Sequence, residues 1–261
     1  MGSYRGTARR MTKIFTIPIE GGDVAELTND MPATNPCWSP DGKSIAYIHW
    51  ETTDVKYKFL HDIYLKPAEG GKASKLTSQS DQVTYAAIAW SPDGSGIAFH
   101  SDGGRKIKLI PVGGGPARIL IDGCTGGPGR LLSWSPDGKQ LLYSTENRVW
   151  KLDLATGKSE ELQTGLKLIQ TEMAWSPDGK TIALGGMKDR ETELWLVEDF
   201  LPAHRSAERA AAQQAARVQA KPAPKFRRIE IPGKPPIGSA AMLSPDGTRF
   251  AFLAEGDIWT V

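Results

Sequence analysis

The sequence predicts an all-β fold, a β-propeller built of four-stranded antiparallel blades, and three observations predict it. The pentapeptide WSPDG recurs at Trp38, Trp90, Trp134 and Trp175, with a related copy, LSPDG, at Leu243. Each copy is followed by a short alternating apolar run: KSIAYI, SGIAFH, KQLLYS, KTIALG and TRFAFL. Most units then carry an aromatic segment and a Gly-rich turn, as in DIYLKP followed by EGGKASKLT. Self-similarity at a spacing of about forty residues means a repeat architecture, and alternation with a period of two means strands.

Each piece of the unit has a physical reason. In SPDG the Pro presets φ at the first corner, the Asp side chain bonds back to nearby backbone, and the Gly accepts the positive φ that closes a hairpin. Asp41, Asp93, Asp137, Asp178 and Asp246 are therefore expected to be turn formers spread around a ring, not a metal site or an acid cluster. Three places after each Gly stands a large apolar residue, Ile45, Ile97, Leu141, Ile182 and Phe250, which marks the second strand. The third strand has Phe15, Tyr64, Lys108, Trp150, Trp195 and Trp259 at its third position, aromatic in five of six. Trp38, Trp90, Trp134 and Trp175 end the first strands and are expected in the core between blades, where a large ring buries much area. One such sheet cannot bury both faces alone, whereas sheets stacked around an axis bury one another.

WSPDG followed by an IAF-type strand, an aromatic third strand and a Gly-Gly turn resembles the TolB-type propeller repeat, found also in tricorn-like and prolyl-oligopeptidase-like peptidases. The resemblance covers nearly the whole chain. It implies a noncatalytic scaffold with protein or peptide partners, in a periplasmic or secreted setting. A rival implication is the substrate-gating propeller of a tricorn-like or prolyl-oligopeptidase-like hydrolase, and fold alone does not choose between them.

Counting by type gives five first, five second, six third and five fourth strands, because the chain starts on a third strand, KIFTIP, and stops on another, DIWTV. Two arrangements follow. Either the ring has five blades, with KIFTIP and DIWTV competing for one place, or this is a segment of a longer, six-bladed propeller. The interrupted repeats at both ends favour the segment, since open strand edges are a liability. Residues 1–261 read as a single propeller domain, with an insertion at 200–225 in the penultimate blade. Its Ala, Gln and Arg content predicts a surface helix followed by a Pro-containing linker.

The formal net charge of +2 is too small and too scattered to argue for nucleic acid. No run of apolar residues is long enough to span a membrane, and the basic start MGSYRGTARRMTKIF lacks the apolar stretch of a signal peptide. Cys37 and Cys124 are expected to be free thiols. The GKS at Gly42 and GKT at Gly179 lack the earlier Gly of a phosphate-binding loop, and no G-x-S-x-G elbow occurs. The four histidines are too irregularly spaced for zinc and are expected on surface loops, so no metal and no cofactor is expected.

Function in a propeller is expected on the face made by the loops between second and third strands and between successive blades. The widest such loop is expected at His49 to Asp62, HWETTDVKYKFLHD, with Trp50, Tyr57, Phe59 and His61 as contact residues for a protein or peptide. Tyr85 and Arg105 are expected on loops of the same face. A second candidate is the central channel, where Asn35, Arg130 and Glu172, placed before their tryptophans, would serve a small-ligand binder or a propeller enzyme.

Overall fold

The computed structural model describes residues 12–18, 22–28, 32–52, 59–125, 131–165, 168–187, 192–198, 237–243, 245–246 and 249–255. Among them run five antiparallel sheets. The first in chain order joins β3 (Ala33–Trp38), β4 (Ser44–Thr52), β5 (Phe59–Pro67) and β6 (Ser74–Lys75). The second joins β7 (Val83–Trp90), β8 (Gly96–Ser101), β9 (Lys106–Pro111) and β10 (Arg118–Asp122), and the third β11 (Leu132–Trp134), β12 (Gln140–Thr145), β13 (Arg148–Asp153) and β14 (Ser159–Leu162). The fourth shows three strands, β15 (Leu168–Trp175), β16 (Thr181–Met187) and β17 (Thr192–Glu198). Its expected fourth strand and the expected helical insertion at 200–225 lie outside the described residues.

The fifth sheet is assembled from both ends of the sequence. The strands β18 (Ile237–Leu243) and β19 (Arg249–Glu255) are completed by β1 (Thr12–Pro18) and β2 (Ala25–Glu26), in the order β18-β19-β1-β2. Thr12 pairs with Glu255 and Pro18 with Arg249. KIFTIP thus takes the third-strand place in this sheet; DIWTV lies outside the described residues. The first strands lie side by side in the order β18, β3, β7, β11, β15.

The repeat dictates one register throughout. Trp38 faces Ile45, Trp90 faces Ile97, Trp134 faces Leu141, Trp175 faces Ile182 and Leu243 faces Phe250. Ile45, Ile97, Leu141 and Ile182 are fully buried; each such side chain contributes about 1.5–3 kcal/mol by leaving water. The indoles also tie neighbouring sheets: Trp134 Nε1 donates to the Ala89 carbonyl at 3.0 Å and Trp175 Nε1 to that of Ser133 at 3.3 Å. Trp90 N donates to Cys37 Sγ at 3.4 Å. Both thiols are free and buried, as expected, and burial pushes each up to about 11, so they stay protonated and inert.

The turns form as their chemistry requires. Gly42, Gly94, Gly138 and Gly179 have φ of 69°, 75°, 69° and 70°. Asp41 Oδ1 accepts from Ser39 Oγ at 2.6 Å and from Lys43 N at 3.0 Å, and the same pair of bonds recurs at Asp93, Asp137 and Asp178. In all four turns the serine hydroxyl, then the backbone amide, holds the carboxyl below its ordinary value. A carboxyl depressed in the folded state stabilises fully above its unfolded pKa and loses that contribution as pH falls through the lower folded value. The urea midpoint of the protein should therefore drop more steeply below pH 4 than that of the D41N/D93N/D137N/D178N variant. A parallel drop in both would place the acid sensitivity elsewhere.

Aromatic third strands meet aromatic second strands directly across the sheet. Tyr47 stacks on Tyr64 with centroids 6.0 Å apart, and Tyr143 on Trp150 at 6.3 Å. The exception, Lys108, has its own use. Its Nζ donates to the Asp81 carbonyl at 3.0 Å, at the end of a short 3-10 helix, Gln79–Asp81. Three of the four histidines depart from expectation: His49 and His100 are buried in β4 and β8, and His61 lies within β5 rather than on a surface loop. His49 Nδ1 lies 2.9 Å from the Pro32 carbonyl and its ring meets Tyr64 edge-on.

Candidate functional site

The expected loop at His49 to Asp62 is mostly strand. β4 and β5 stay paired from Ser44 with Pro67 out to Thr52 with Phe59, so only 53–58, including Tyr57, lies between them and outside the described residues. The pattern Ile48, Trp50, Thr52 and Phe59, His61, Ile63 continues the alternation of a sheet, and charges at the intervening positions obscured it. The hairpin therefore projects beyond its own blade. At its base the Asp62 carboxylate accepts from Thr77 Oγ1 at 2.9 Å and pairs with Lys75 at 2.6 Å, and Thr77 Oγ1 in turn accepts from Ile63 N at 2.9 Å.

Beyond Thr77 the chain leaves the edge of β5. Ser78 and Asp81 form a reciprocal capping box, Ser78 N donating to Asp81 Oδ2 at 2.8 Å, and start the 3-10 helix at Gln79. The S-x-x-D spelling of that cap was visible in the sequence. The departure opens a cleft of about 360 Å³ between the first and second sheets. One wall is the run Phe59 to Asp62 of β5; the other is Gln79, Gln82 and the start of β7, with Gly103 at the rim. Gln79, Gln82 and Gly103 carried no signal beyond turn composition.

An aromatic chain crosses the cleft. Trp50 meets Phe59 edge-on at 5.4 Å, Phe59 lies 6.5 Å from His61, and His61 lies 5.9 Å from Tyr85 of the next sheet. Trp50, Phe59, His61 and Tyr85 are thus brought together as a group. Tyr85, expected on a loop, instead sits in the first strand β7, where the register with β8 breaks between Val83 and Ile88. Such a bulge re-aims side chains, and Tyr85 is left 57% exposed. Arg105 stays apart: it follows the 3-10 helix Asp102–Gly104, and its carbonyl accepts from Gly123 N and Cys124 N. Burial holds the His61 imidazole below its ordinary value, so it is neutral at pH 7.

The channel candidates occupy the corresponding irregular stretch of other first strands. Asn35 has φ of 52° where the register of β3 breaks between Thr34 and Cys37, and its Oδ1 accepts from Thr34 Oγ1 at 2.8 Å. Glu172 lies in β15 within a similar break between Ile169 and Met173. Arg130 is outside the described residues. Among the described residues no cluster of His, Cys, Asp and Glu is placed to hold a metal, and no helix is long and apolar enough to cross a membrane.

Solved structures decide the fold. The chain superimposes with a TM-score of 0.60 on a candidate TolB from Agrobacterium tumefaciens, covering 97% of this chain and 100% of that one at 17% identity. The fold is the TolB-type propeller. No family model matches the chain. Among curated proteins, the chain is 30% identical over 165 residues to the uncharacterized peptidase YuxL of Bacillus subtilis, a match covering 61% of this chain and 22% of that protein. It is 27% identical over 169 residues to Tricorn protease homolog 1 of Streptomyces coelicolor, covering 59% of this chain and 15% of the other. The chain thus spans under a quarter of the length of these two relatives.

Proposed function

We propose that this propeller binds a protein or peptide without performing a reaction of its own, and that the cleft beside β5 is where the partner docks. The observation that carries this reading is the exposed aromatic group. Among the described residues the large hydrophobics left exposed are Tyr85 and Ile119, and Tyr85 belongs to a cleft already walled by Phe59 and His61. Rigid aromatic side chains give large contact area at little entropic cost, the property of binding hot spots.

Panning a random displayed-peptide library on the protein should enrich clones that bind the wild type and lose at least about tenfold in affinity to the Phe59→Ala/Tyr85→Ala variant, with its melting temperature within a few degrees. Clones that bind both proteins equally would remove the cleft from the reading. A second reading draws on the relatives named as peptidases: a propeller of this kind would screen substrates for a catalytic domain. Under it, adding this chain to an unfused peptidase domain would slow cleavage of folded substrates more than of short peptides.

A further inference from the structure

The cleft wall formed by β5 is a strand edge. Backbone groups along a strand point alternately to its two neighbours. The Ile63 carbonyl accepts from Leu76 N at 2.8 Å and Ile63 N donates to Thr77 Oγ1, so odd-numbered residues of β5 face the side of β6. The opposite edge agrees: Trp50, which pairs with His61, turns its N–H away from β5 to the Pro32 carbonyl. No register break interrupts β4 and β5 from Phe59 to Pro67. His61 therefore presents its N–H and C=O to the cleft, where the fourth strand has already departed, and among the described residues neither makes a hydrogen bond. The second and third sheets lack such an overhang: Lys106 at the start of β9 still pairs with Asp122, and Val149 pairs with Leu162 one residue into β13; in the fifth, β1 overhangs Ile14 by only Thr12 and Lys13.

Resting on the binding reading above, we propose that the cleft takes an extended, uncharged peptide as an added strand, paired to the His61 N–H and C=O, with an apolar side chain packed against the aromatic group of Phe59, His61 and Tyr85. Strand addition supplies affinity through main-chain bonds and specificity through alternate side chains. An uncharged peptide is favoured by the walls. Gln79, Gln82 and Tyr85 are neutral, and the one carboxylate there, Asp62, is engaged by Lys75 and Thr77. A strand at this edge also meets the need that bare edges create for pairing.

The probes are capped peptides Thr-X-Thr-Phe-Thr-X-Thr, with X as Val, Ile or Tyr, measured by calorimetry on the full chain. At least one should bind more tightly than about 1 mM, with little dependence on salt. Because strand pairing alternates, methylating the peptide's backbone amides at one parity should cost at least about tenfold, while the opposite parity costs under about threefold. His61→Pro, which removes the N–H without touching the pairing to β4, should weaken binding about tenfold more than His61→Ala. Equal losses at both parities, or no binding by any peptide of the series, would overturn strand addition. Library clones that still depend on Phe59 and Tyr85 would then leave the cleft itself standing as a docking site. If His61→Pro fails to fold, the methylation pair decides alone.

Discussion

Replacing Phe99 by alanine should destabilise the propeller by about 3–5 kcal/mol, the cost of emptying a fully enclosed aromatic site. Phe99 is 0% exposed on β8 and packs in one cluster with Ala46, Ile48 and Ile63 of the preceding sheet. It fills the seam between blades, and the seam is what holds a ring of separate sheets together, since each sheet is too thin to bury its own faces. Urea unfolding should show the midpoint falling with an unchanged slope. A loss below about 1 kcal/mol would mean that the neighbouring sheet closes over the gap and that the seam is soft.

Ile14→Asp should cost more than about 4 kcal/mol, and with it the cooperativity of unfolding. Ile14 is 0% exposed on β1, faces Leu253 across the sheet, and its carbonyl accepts from Leu27 N at 2.8 Å. Its side chain packs in a cluster with Trp38 and Ile45 of the first sheet, so a charge there is buried without a counter-ion. The neighbouring Lys13, which pairs with Glu26 at 2.8 Å and is about a third exposed, is the control: Lys13→Ala should change stability by less than about 1 kcal/mol. Equal effects at the two positions would show that β1 is loosely held. Calorimetry distinguishes the outcomes, because a protein whose end sheet melts first gives two transitions in place of one.

What could be read from the letters was whatever the repeat spelled five times. The tryptophan opposite a large aliphatic, the Ser-Asp-Gly turn and the aromatic third strand are local chemistry, and local chemistry is legible. Lys108 stood out as the odd third-strand residue, but its reason lies in the carbonyls of Ser80 and Asp81, a long-range contact with no pattern of its own. The hairpin at Trp50 and Phe59 was hidden because the positions between its apolar residues carry His49, Glu51 and the buried Asp62, which weaken the contrast on which alternation depends. Tyr85 was placed on a loop because the bulge in β7 breaks the same alternation. The cleft arose from a difference in length between neighbouring strands, and a difference of that kind is written in no single residue.

The pairing of β1 with β19 bears on how the molecule is made. Residues 12–18 leave the ribosome long before their partners, residues 249–255, are made. Until those arrive, β1 can pair only with the two residues of β2, while the intervening sheets, whose partners are neighbours in sequence, can already form. Closing so long a loop is slow compared with making a hairpin. The growing chain therefore carries an apolar strand with one edge open until residues 249–255 arrive, and a factor that shelters such segments should raise its yield more than that of a propeller whose blades each come from one stretch of sequence.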